Sequence, residues 1–215
     1  ITTIPESIGN LTDLRKLYLE WNAIESLPDT FSNMSALVQL YISNNNLSVL
    51  PENFGDLQNL YILDLGYNNI TELPASIIEI NSLSYLWIFN NQLQILPNDF
   101  CNLELDWDDD DYFGYPYFAS GGNMLCENIP ECIVNSNHLN TSLEQYYYSV
   151  QITIEQDCSF LEPFDLNDDQ LVNVLDVIVL VNYILDSYYE EQGDLNNDII
   201  INIQDVIILI GIILD

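Results

Sequence analysis

Basic residues are almost absent from this chain of 215 residues, which has only Arg15 and Lys16 against 34 acidic residues and a formal charge of −32. Such a polyanion repels nucleic acid and anionic lipid, so neither is an expected partner. Metal cations, salt or a basic partner are the remaining counter-charges. The charge does not indicate disorder, because apolar residues make up 48% of the chain and are sufficient for a folded core.

Long apolar runs and catalytic motifs are also missing. No run approaches the ~20 residues that cross a bilayer, so no membrane span is expected. The only histidine is His138, and the sequence has no GxSxG, HExxH or phosphate-binding glycine loop. The sequence therefore predicts a protein that is not an enzyme.

Cysteine is confined to residues 101–158 and forms no CxxC pair. The four cysteines are Cys101, Cys126, Cys132 and Cys158. An even, clustered set indicates two disulfides, and hence an oxidising compartment that is extracellular or at the cell surface. Four buried free thiols are the alternative. The chain opens without Met or a signal peptide, as expected of a processed or trimmed form.

Proline and asparagine recur every 23 residues. The prolines are Pro5, Pro28, Pro51, Pro74 and Pro97, and the asparagines are Asn22, Asn45, Asn68 and Asn91. Aliphatic residues keep the same step in the pattern LxxLxLxxNxLxxLP. The LxL segment predicts a short strand with alternate residues inward, and such strands stack about 4.8 Å apart as a parallel sheet. Inward asparagines can bond backbone groups where the chain turns, forming a ladder along the stack.

This pattern resembles the leucine-rich repeat family, which implies an α/β-type solenoid over residues 1–103. The period breaks after Cys101, and Asn123, Leu125 and Pro130 mark a degenerate last unit displaced by an insertion of about ten residues. Terminal units must cover an open apolar end. Residues 104–160 are therefore predicted to form a disulfide-bonded C-terminal cap, with "YYYSVQITIEQDC" as its last strand-like piece.

Stacking of the units also bears on the disulfide pairing. Cys101 is next to Phe100, and Cys132 is next to Ile133, which takes the matching place in the last unit. This favours Cys101–Cys132 with Cys126–Cys158, although the sequence leaves the other two connectivities open. Residues 1–10 read as the tail of a repeat without its strand. We expect a preceding segment or another molecule to cover that edge.

Two twelve-residue stretches, "DLNDDQLVNVLD" and "DLNNDIIINIQD", place oxygen-bearing side chains at positions 1, 3, 5, 9 and 12. Calcium takes six to eight oxygen ligands, which a loop supplies at alternating positions with a bidentate acid at position 12. Solvated acids in a turn are the alternative. The predicted ligands of the first site are Asp165, Asn167, Asp169, the Leu171 carbonyl, Asn173 and Asp176. Those of the second are Asp194, Asn196, Asp198, the Ile200 carbonyl, Asn202 and Asp205.

An apolar helix begins at position 12 of each loop, and this tandem arrangement resembles the dockerin family over residues 163–215. The resemblance implies two half EF-hands in a small, mainly helical module at residues 161–215, with calcium-dependent folding and docking to a cohesin module. The glycine usual at position 6 is replaced by Gln170 and Ile199. A β-branched residue is unfavourable at positive φ, so the second site is expected to be distorted or weaker.

The resemblance places partner recognition at loop positions 10 and 11 and further along the helices. The predicted docking residues are Val174, Leu175, Tyr183, Ile203, Gln204 and Ile212. Both helices are apolar nearly all round, so we expect them to need cover beyond their packing on each other. A cohesin module, the protein's own cap and another copy of the chain are the candidate partners.

Outward side chains of the strands line the concave side of the predicted solenoid. The candidate ligand-binding residues are Tyr18, Tyr41, Asp64, Tyr85, Trp87 and Phe89. Rigid aromatics favour contacts with proteins and sugars, and ordinary packing on a sheet surface is the alternative. The acidic stretch "DWDDDDYFGYPYF" at residues 106–118 suits a solvated loop or a surface calcium site.

The sequence thus predicts a secreted, calcium-dependent protein of interaction and assembly. Its sharper form is head-to-tail self-assembly into an extracellular filament, in which the C-terminal module of one copy covers the open edge of the next. The alternative is a recognition module that binds a peptide or glycan on the concave face and docks to a cohesin-bearing scaffold.

Overall fold

A computed structural model of the protein describes residues 1–126, 128–158, 164–167, 171–196 and 198–214. The predicted calcium ligand Asp169 and its neighbour Gln170 lie outside the described residues. The chain divides into two compact units, residues 1–157 and 158–215. In the part of the chain that the structure describes, no helix is long and apolar enough to cross a membrane.

Five short strands form one parallel sheet in chain order. They are β1 (Lys16–Tyr18), β2 (Gln39–Tyr41), β3 (Ile62–Asp64), β4 (Tyr85–Trp87) and β5 (Phe118–Ala119). The register aligns Leu17, Leu40, Leu63, Leu86 and Phe118, so three steps of 23 residues are followed by one of 32. The predicted solenoid is confirmed, and its displaced last unit supplies the fifth strand.

Short 3-10 helices form the opposite, convex side of the solenoid. They span Glu6–Asn10, Asp29–Asn33, Phe54–Asp56, Ala75–Glu79 and Phe100–Asn102. Pro5, Pro28 and Pro74 immediately precede three of them at φ values of −75°, −71° and −62°, because the proline ring holds φ near −65° and lacks the N–H that a helical turn would leave unbonded. Phe31 and Phe54 are fully buried and stack 6.4 Å apart, which makes the core continuous from unit to unit.

The repeated asparagines form the predicted ladder. Nδ2 of Asn68 donates to the carbonyl oxygens of Ile42, Leu65 and Gly66 at 3.0–3.3 Å, and its Oδ1 accepts the N–H of Leu47 at 3.0 Å. Equivalent bonds are made by Asn45, Asn91 and Asn123. Each asparagine therefore joins its own turn to the units on either side.

The residue before each ladder asparagine has a left-handed backbone. The φ values are 56° at Trp21, 54° at Asn44, 52° at Tyr67, 49° at Asn90 and 69° at Gly122. Asn and Gly adopt this conformation readily, whereas an aromatic residue rarely does. The sequence period did not reveal this turn, because the residues that occupy it share no side-chain chemistry.

The last part of the N-terminal unit closes the solenoid and folds back over its concave side. Helix α1 (Glu131–Val134) takes the convex position, and β6 (Thr141–Leu143) pairs antiparallel with β7 (Gln151–Thr153). Cys101 and Cys132 form a disulfide with their Cα atoms 5.6 Å apart, the pairing that stacking favours. Cys126 and Cys158 are disulfide-bonded as well, so all four cysteines are oxidised.

The C-terminal unit is small and helical. Helices α2 (Val174–Leu185) and α3 (Ile203–Leu214) pack together through Leu180, Val206 and Leu209. A short 3-10 helix, Glu191–Gly193, precedes the second acidic loop. The predicted fold class, a leucine-rich-repeat solenoid with a disulfide-bonded cap followed by a mainly helical dockerin-like module, is confirmed.

Candidate functional sites

The cap covers part of the concave face, which corrects one prediction. Trp87 is only 5% exposed and Phe89 is fully buried, because Tyr115, Tyr148 and Leu143 pack around them. The prediction that Trp87 and Phe89 lie on an open ligand-binding face is wrong.

Polar contacts hold the cap in place over the sheet. The Tyr67 hydroxyl donates to the Leu143 carbonyl at 2.9 Å, and Trp87 Nε1 donates to the Pro116 carbonyl at 2.7 Å. Sequence reasoning missed this cover, although "YLWIF" at residues 85–89 offered a signal. A strand that is apolar on both sides is typical of one buried on both sides, whereas "KLYLE" at 16–20 alternates.

The acidic stretch is part of this cover. The Asp111 carboxylate accepts bonds from the Tyr85 hydroxyl at 2.9 Å and from the N–H groups of Phe113 and Tyr115 at 2.8 and 3.0 Å. Desolvation opposes ionisation, but these donors outweigh it and lower the pKa of Asp111. The carboxylate is thus held in place over the sheet beside Tyr85.

The uncovered half of the concave face forms a cleft of about 500 Å³. Nine aromatic and three acidic side chains line it, together with Ser43 and Ile62, and none of the described lining residues is basic. The rings of Tyr18 and Tyr41 stack 5.1 Å apart and within 3° of parallel, and Tyr18 is 58% exposed. The structure brings together five of the six predicted ligand-binding residues in this cleft: Tyr18, Tyr41, Asp64, Tyr85 and Trp87.

Asp64 at the end of β3 is buried within the cleft wall. Burial raises its pKa to about 7, although bonds from the Gly66 N–H at 3.1 Å and from Ser43 lower it in part, and nearby Glu20 raises it further. The carboxyl group of Asp64 therefore changes charge near neutral pH.

Asp64 is expected to make the solenoid less stable as the pH rises. Its folded pKa of about 7 lies above the ordinary 3.8, so the stability contributed by the protonated form is complete below about 3.8 and is lost as the pH rises through about 7. Asp64→Asn cannot ionise and keeps an oxygen for the Gly66 N–H. Relative to wild type, we expect this variant to gain on the order of 2–4 kcal/mol in unfolding free energy between pH 5 and pH 8.

Urea denaturation of the full chain followed by tryptophan fluorescence measures this difference at the two pH values. Asp56→Asn, at an exposed acid of the same solenoid, is the control and should follow wild type. A constant difference between Asp64→Asn and wild type across the pH range would contradict the buried titration.

In the acidic loops, the carboxylates at positions 1 and 12 are buried: Asp165, Asp176, Asp194 and Asp205. Oδ1 of Asp176 accepts the N–H groups of Leu166 and Asn167 at 2.8 and 3.2 Å, and Oδ2 accepts that of Asn173 at 2.7 Å. Asp205 repeats this pattern with Leu195, Asn196 and Asn202 at 3.0, 3.3 and 2.7 Å. The acid at position 12 thus ties the start of each loop to the start of its helix.

The asparagines at position 9 brace the loops. Oδ1 of Asn173 accepts the Leu175 N–H at 2.8 Å and completes a capping box with Asp176, while its Nδ2 donates to the Leu171 carbonyl at 3.1 Å. Asn202 does the same with Gln204 and the Ile200 carbonyl, at 2.9 and 3.2 Å. These side chains fix the helix starts, which is one of the two roles that position 9 suggests.

Ile199 takes the left-handed conformation that position 6 usually assigns to glycine, with φ at 69°. The carboxylate of Asp194 accepts the N–H groups of Asp198 and Ile199 at 3.0 and 2.7 Å, which holds the turn in this conformation. A β-branched residue there carries backbone strain of about 1–2 kcal/mol. The second loop therefore keeps its turn at an energetic cost.

The residues present fit calcium as a ligand. The module from residue 158 onward has no Lys, Arg or His, and buried carboxylates are costly unless a cation or hydrogen bonds compensate them. Backbone N–H groups offset only part of this cost. Among the described residues no three Asp, Glu, His or Cys side chains converge on one point. Amide and carbonyl oxygens belong to the predicted set as well, and such an all-oxygen set suits a hard cation.

Each helix of the module exposes one apolar stripe. The stripe of α2 is Val174, Ile178, Val181 and Leu185, and the stripe of α3 is Ile203, Ile207, Ile210 and Leu214, with exposed fractions from 36% to 79%. The spacing i, i+4, i+7, i+11 places each set on one helix face. The two stripes correspond residue by residue at an offset of 29, so the module presents the same surface twice.

Most of the predicted docking residues lie on or beside these stripes. Val174, Leu175, Ile203, Gln204 and Ile212 are exposed. Tyr183 differs from the prediction: it is half-buried in the module core, and its ring lies 5.4 Å from that of Tyr188.

Two family models match the chain. The leucine rich repeat model matches residues 1–47 and 47–93, and the dockerin type I domain model matches residues 163–214. The chain therefore combines leucine-rich repeats with a C-terminal dockerin type I domain, a calcium-binding domain of protein–protein interaction. A comparison with curated proteins finds no match.

Solved leucine-rich repeat structures are similar to part of the chain. A leucine-rich repeat protein of Leptospira interrogans is 32% identical with a TM-score of 0.44, covering 49% of this chain and 28% of that one. The ectodomain of the receptor kinase SOBIR1 from Arabidopsis thaliana is 27% identical with a TM-score of 0.46, covering 56% and 62%. The PEPR1–AtPEP1 complex gives 31%, 0.49, 58% and 17%. The chain thus spans less than two thirds of each.

Proposed function

From a chain that combines leucine-rich repeats with a dockerin type I domain, we propose a secreted or cell-surface, non-catalytic adaptor. Its C-terminal module docks to a cohesin-type module in a calcium-dependent way, and its solenoid captures a ligand in the aromatic cleft. The observation that carries the docking role is the pair of matching apolar stripes on α2 and α3. The two disulfides support an oxidising, extracellular location.

The residues of the loops explain why docking would depend on calcium. Asp176 and Asp205 lie in the first turns of α2 and α3 and bind the backbone of the loops, so the position of each helix start depends on these carboxylates. Two calcium ions, one in each loop, would supply the positive charge that the module lacks. With their charge balanced, the loops hold both helix starts and present the stripes in a fixed arrangement.

Self-assembly is the second candidate function. The observation that favours it is the size of the stripes, since eight exposed aliphatic side chains on two helices are more than a solvated helix pair needs. A second copy of the chain would cover them without a cohesin, and a head-to-tail contact would give a filament if it did not close.

Size measurement of the full chain, alone and with a panel of type I cohesin modules, separates these functions. In millimolar calcium we expect a complex with one adaptor per cohesin, which chelation dissociates. The double variant Ile178→Asp, Ile207→Asp should abolish it, because each stripe then carries a charge at its centre. Ile95→Asp, at an exposed isoleucine of the solenoid, is the matched control.

Large assemblies of the chain by itself, dissolved by chelation, would instead support self-assembly. A monomer that binds no cohesin in either condition would contradict the docking role.

A further inference from the structure

The cleft of the solenoid combines aromatic walls with acidic groups. Of its fourteen lining residues, nine are aromatic and three are acidic, and Arg15 and Lys16, the chain's only Arg or Lys residues, are not among them. On the premise that the solenoid is the recognition unit of the proposed adaptor, we propose that this cleft binds a cationic side chain, a lysine or arginine that a partner protein presents.

The ring arrangement suits a cation. Tyr18 and Tyr41 present a parallel stacked pair, while Tyr85 meets Trp87 at 84° and Tyr61 at 65°. Ring planes of different orientation therefore bound one space. The face of an aromatic ring carries partial negative charge and attracts an ammonium or guanidinium group within about 6 Å of its centre.

Three carboxyl groups add full negative charge to this space. Asp111 is fixed by the Tyr85 hydroxyl and by two backbone N–H groups, and Glu20 is half-buried on the same wall as Tyr18. Asp64 is almost fully buried, at 1% exposed.

The groups that face Asp64 are Ser43, the Gly66 N–H, Glu20, Tyr41 and Tyr148, and none of them is cationic. An incoming cation would give this buried carboxylate an ion-pair partner, and a cation inserted between aromatic rings is worth more there than at an open surface.

Other occupants match this chemistry less well. A neutral sugar can stack on tyrosines, but it carries no positive charge to offset the loss of water around three acids. A second copy of the chain has only Arg15 and Lys16 to offer, against its own 34 acidic residues. Charge complementarity therefore points to a basic segment of a different protein.

Binding of short blocked peptides to the full chain in calcium tests the proposal. The probes are pentapeptides with a central lysine or arginine, a matched peptide with glutamine, and cellopentaose as a neutral sugar. Trp21 and Trp87 line the cleft, so tryptophan fluorescence reports occupancy, and calorimetry checks it. We expect saturable binding of the lysine or arginine peptide, at least about tenfold tighter than that of the glutamine peptide.

Two variants at accessible positions locate the binding. Tyr18→Leu and Glu20→Gln should each weaken it about fivefold to tenfold, since one removes a ring and the other a charge. Tyr147→Leu and Glu25→Gln, at exposed residues outside the cleft, are the matched controls and should bind as wild type does. Tyr18 is largely exposed, so its loss should leave the unfolding transition nearly unchanged, which circular dichroism verifies.

The outcomes separate this inference from the proposed function. Saturable binding of cellopentaose without the lysine peptide, or equal affinity for the lysine and glutamine peptides, would overturn the cationic ligand but leave recognition by the solenoid. No binding of any probe would overturn both, while docking through the C-terminal module would stand or fall on the cohesin measurement alone.

Discussion

Asn68→Ala is expected to lower the unfolding free energy of the solenoid by about 3–5 kcal/mol, a large part of the total for a domain of this kind. The side chain makes four hydrogen bonds to backbone groups of three different turns, and it is almost fully buried. Alanine leaves three carbonyl groups and one N–H without that partner. Each such group costs about 1–3 kcal/mol, reduced where a water enters the gap.

Urea denaturation of the full chain in calcium, followed by tryptophan fluorescence, measures the loss. Asn81→Ala is the matched control: Asn81 is exposed and its side chain bonds only the Glu79 carbonyl at 3.1 Å, so we expect a loss below about 0.5 kcal/mol. A loss for Asn68→Ala as small as that of the control would show that neighbouring units hold the stack without the ladder.

The repeat made most of the solenoid predictable. A fixed step of 23 residues sets the strand register, because residues at the same place in successive units must stack, and the observed alignment of Leu17, Leu40, Leu63 and Leu86 follows it. The ladder follows from the same step. The left-handed turns at Trp21 and Tyr67 do not, since their conformation is imposed by the bonds on either side rather than by their own preference.

The cover over the concave face could not be obtained from the period. Contacts such as that of Tyr67 with Leu143 join a repeat to a segment outside the repeating pattern, and periodicity carries information only about equivalent places in neighbouring units. For this reason Phe89 was assigned to an open face and Asp111 to a solvated loop. The cleft exists only because the cap covers one half of the face and leaves Tyr18 and Tyr41 accessible.

The acidic loops were predictable in composition but not in internal detail. The spacing identified Asp176 and Asp205 as the acids at position 12, and the structure adds that both accept three backbone N–H groups. The glycine-free position 6 was expected to distort the second loop. Ile199 instead accepts the left-handed backbone, because two N–H bonds to Asp194 repay part of its cost.

The affinity of the second loop for calcium should therefore be adjustable in both directions. Asp205→Ala is expected to weaken binding at this loop about a hundredfold or more, because it removes the bidentate ligand of position 12 and the acceptor of three backbone N–H groups. Ile199→Gly is expected to strengthen it about threefold to tenfold by releasing the strain at φ 69°. Calorimetric titration of the full chain with calcium, after chelation, measures both, with the first loop as an internal reference.

Ile200→Gly is the matched control for the glycine variant. Ile200 is exposed like Ile199 but is not among the residues with positive φ, so glycine there only adds freedom to the unfolded loop and should weaken binding slightly. If both glycine variants changed affinity equally, the effect would come from loop flexibility and not from backbone strain. If Asp205→Ala bound two calcium ions as wild type does, the ion would be held by other groups, and the link between the loop and the start of α3 would have to be abandoned.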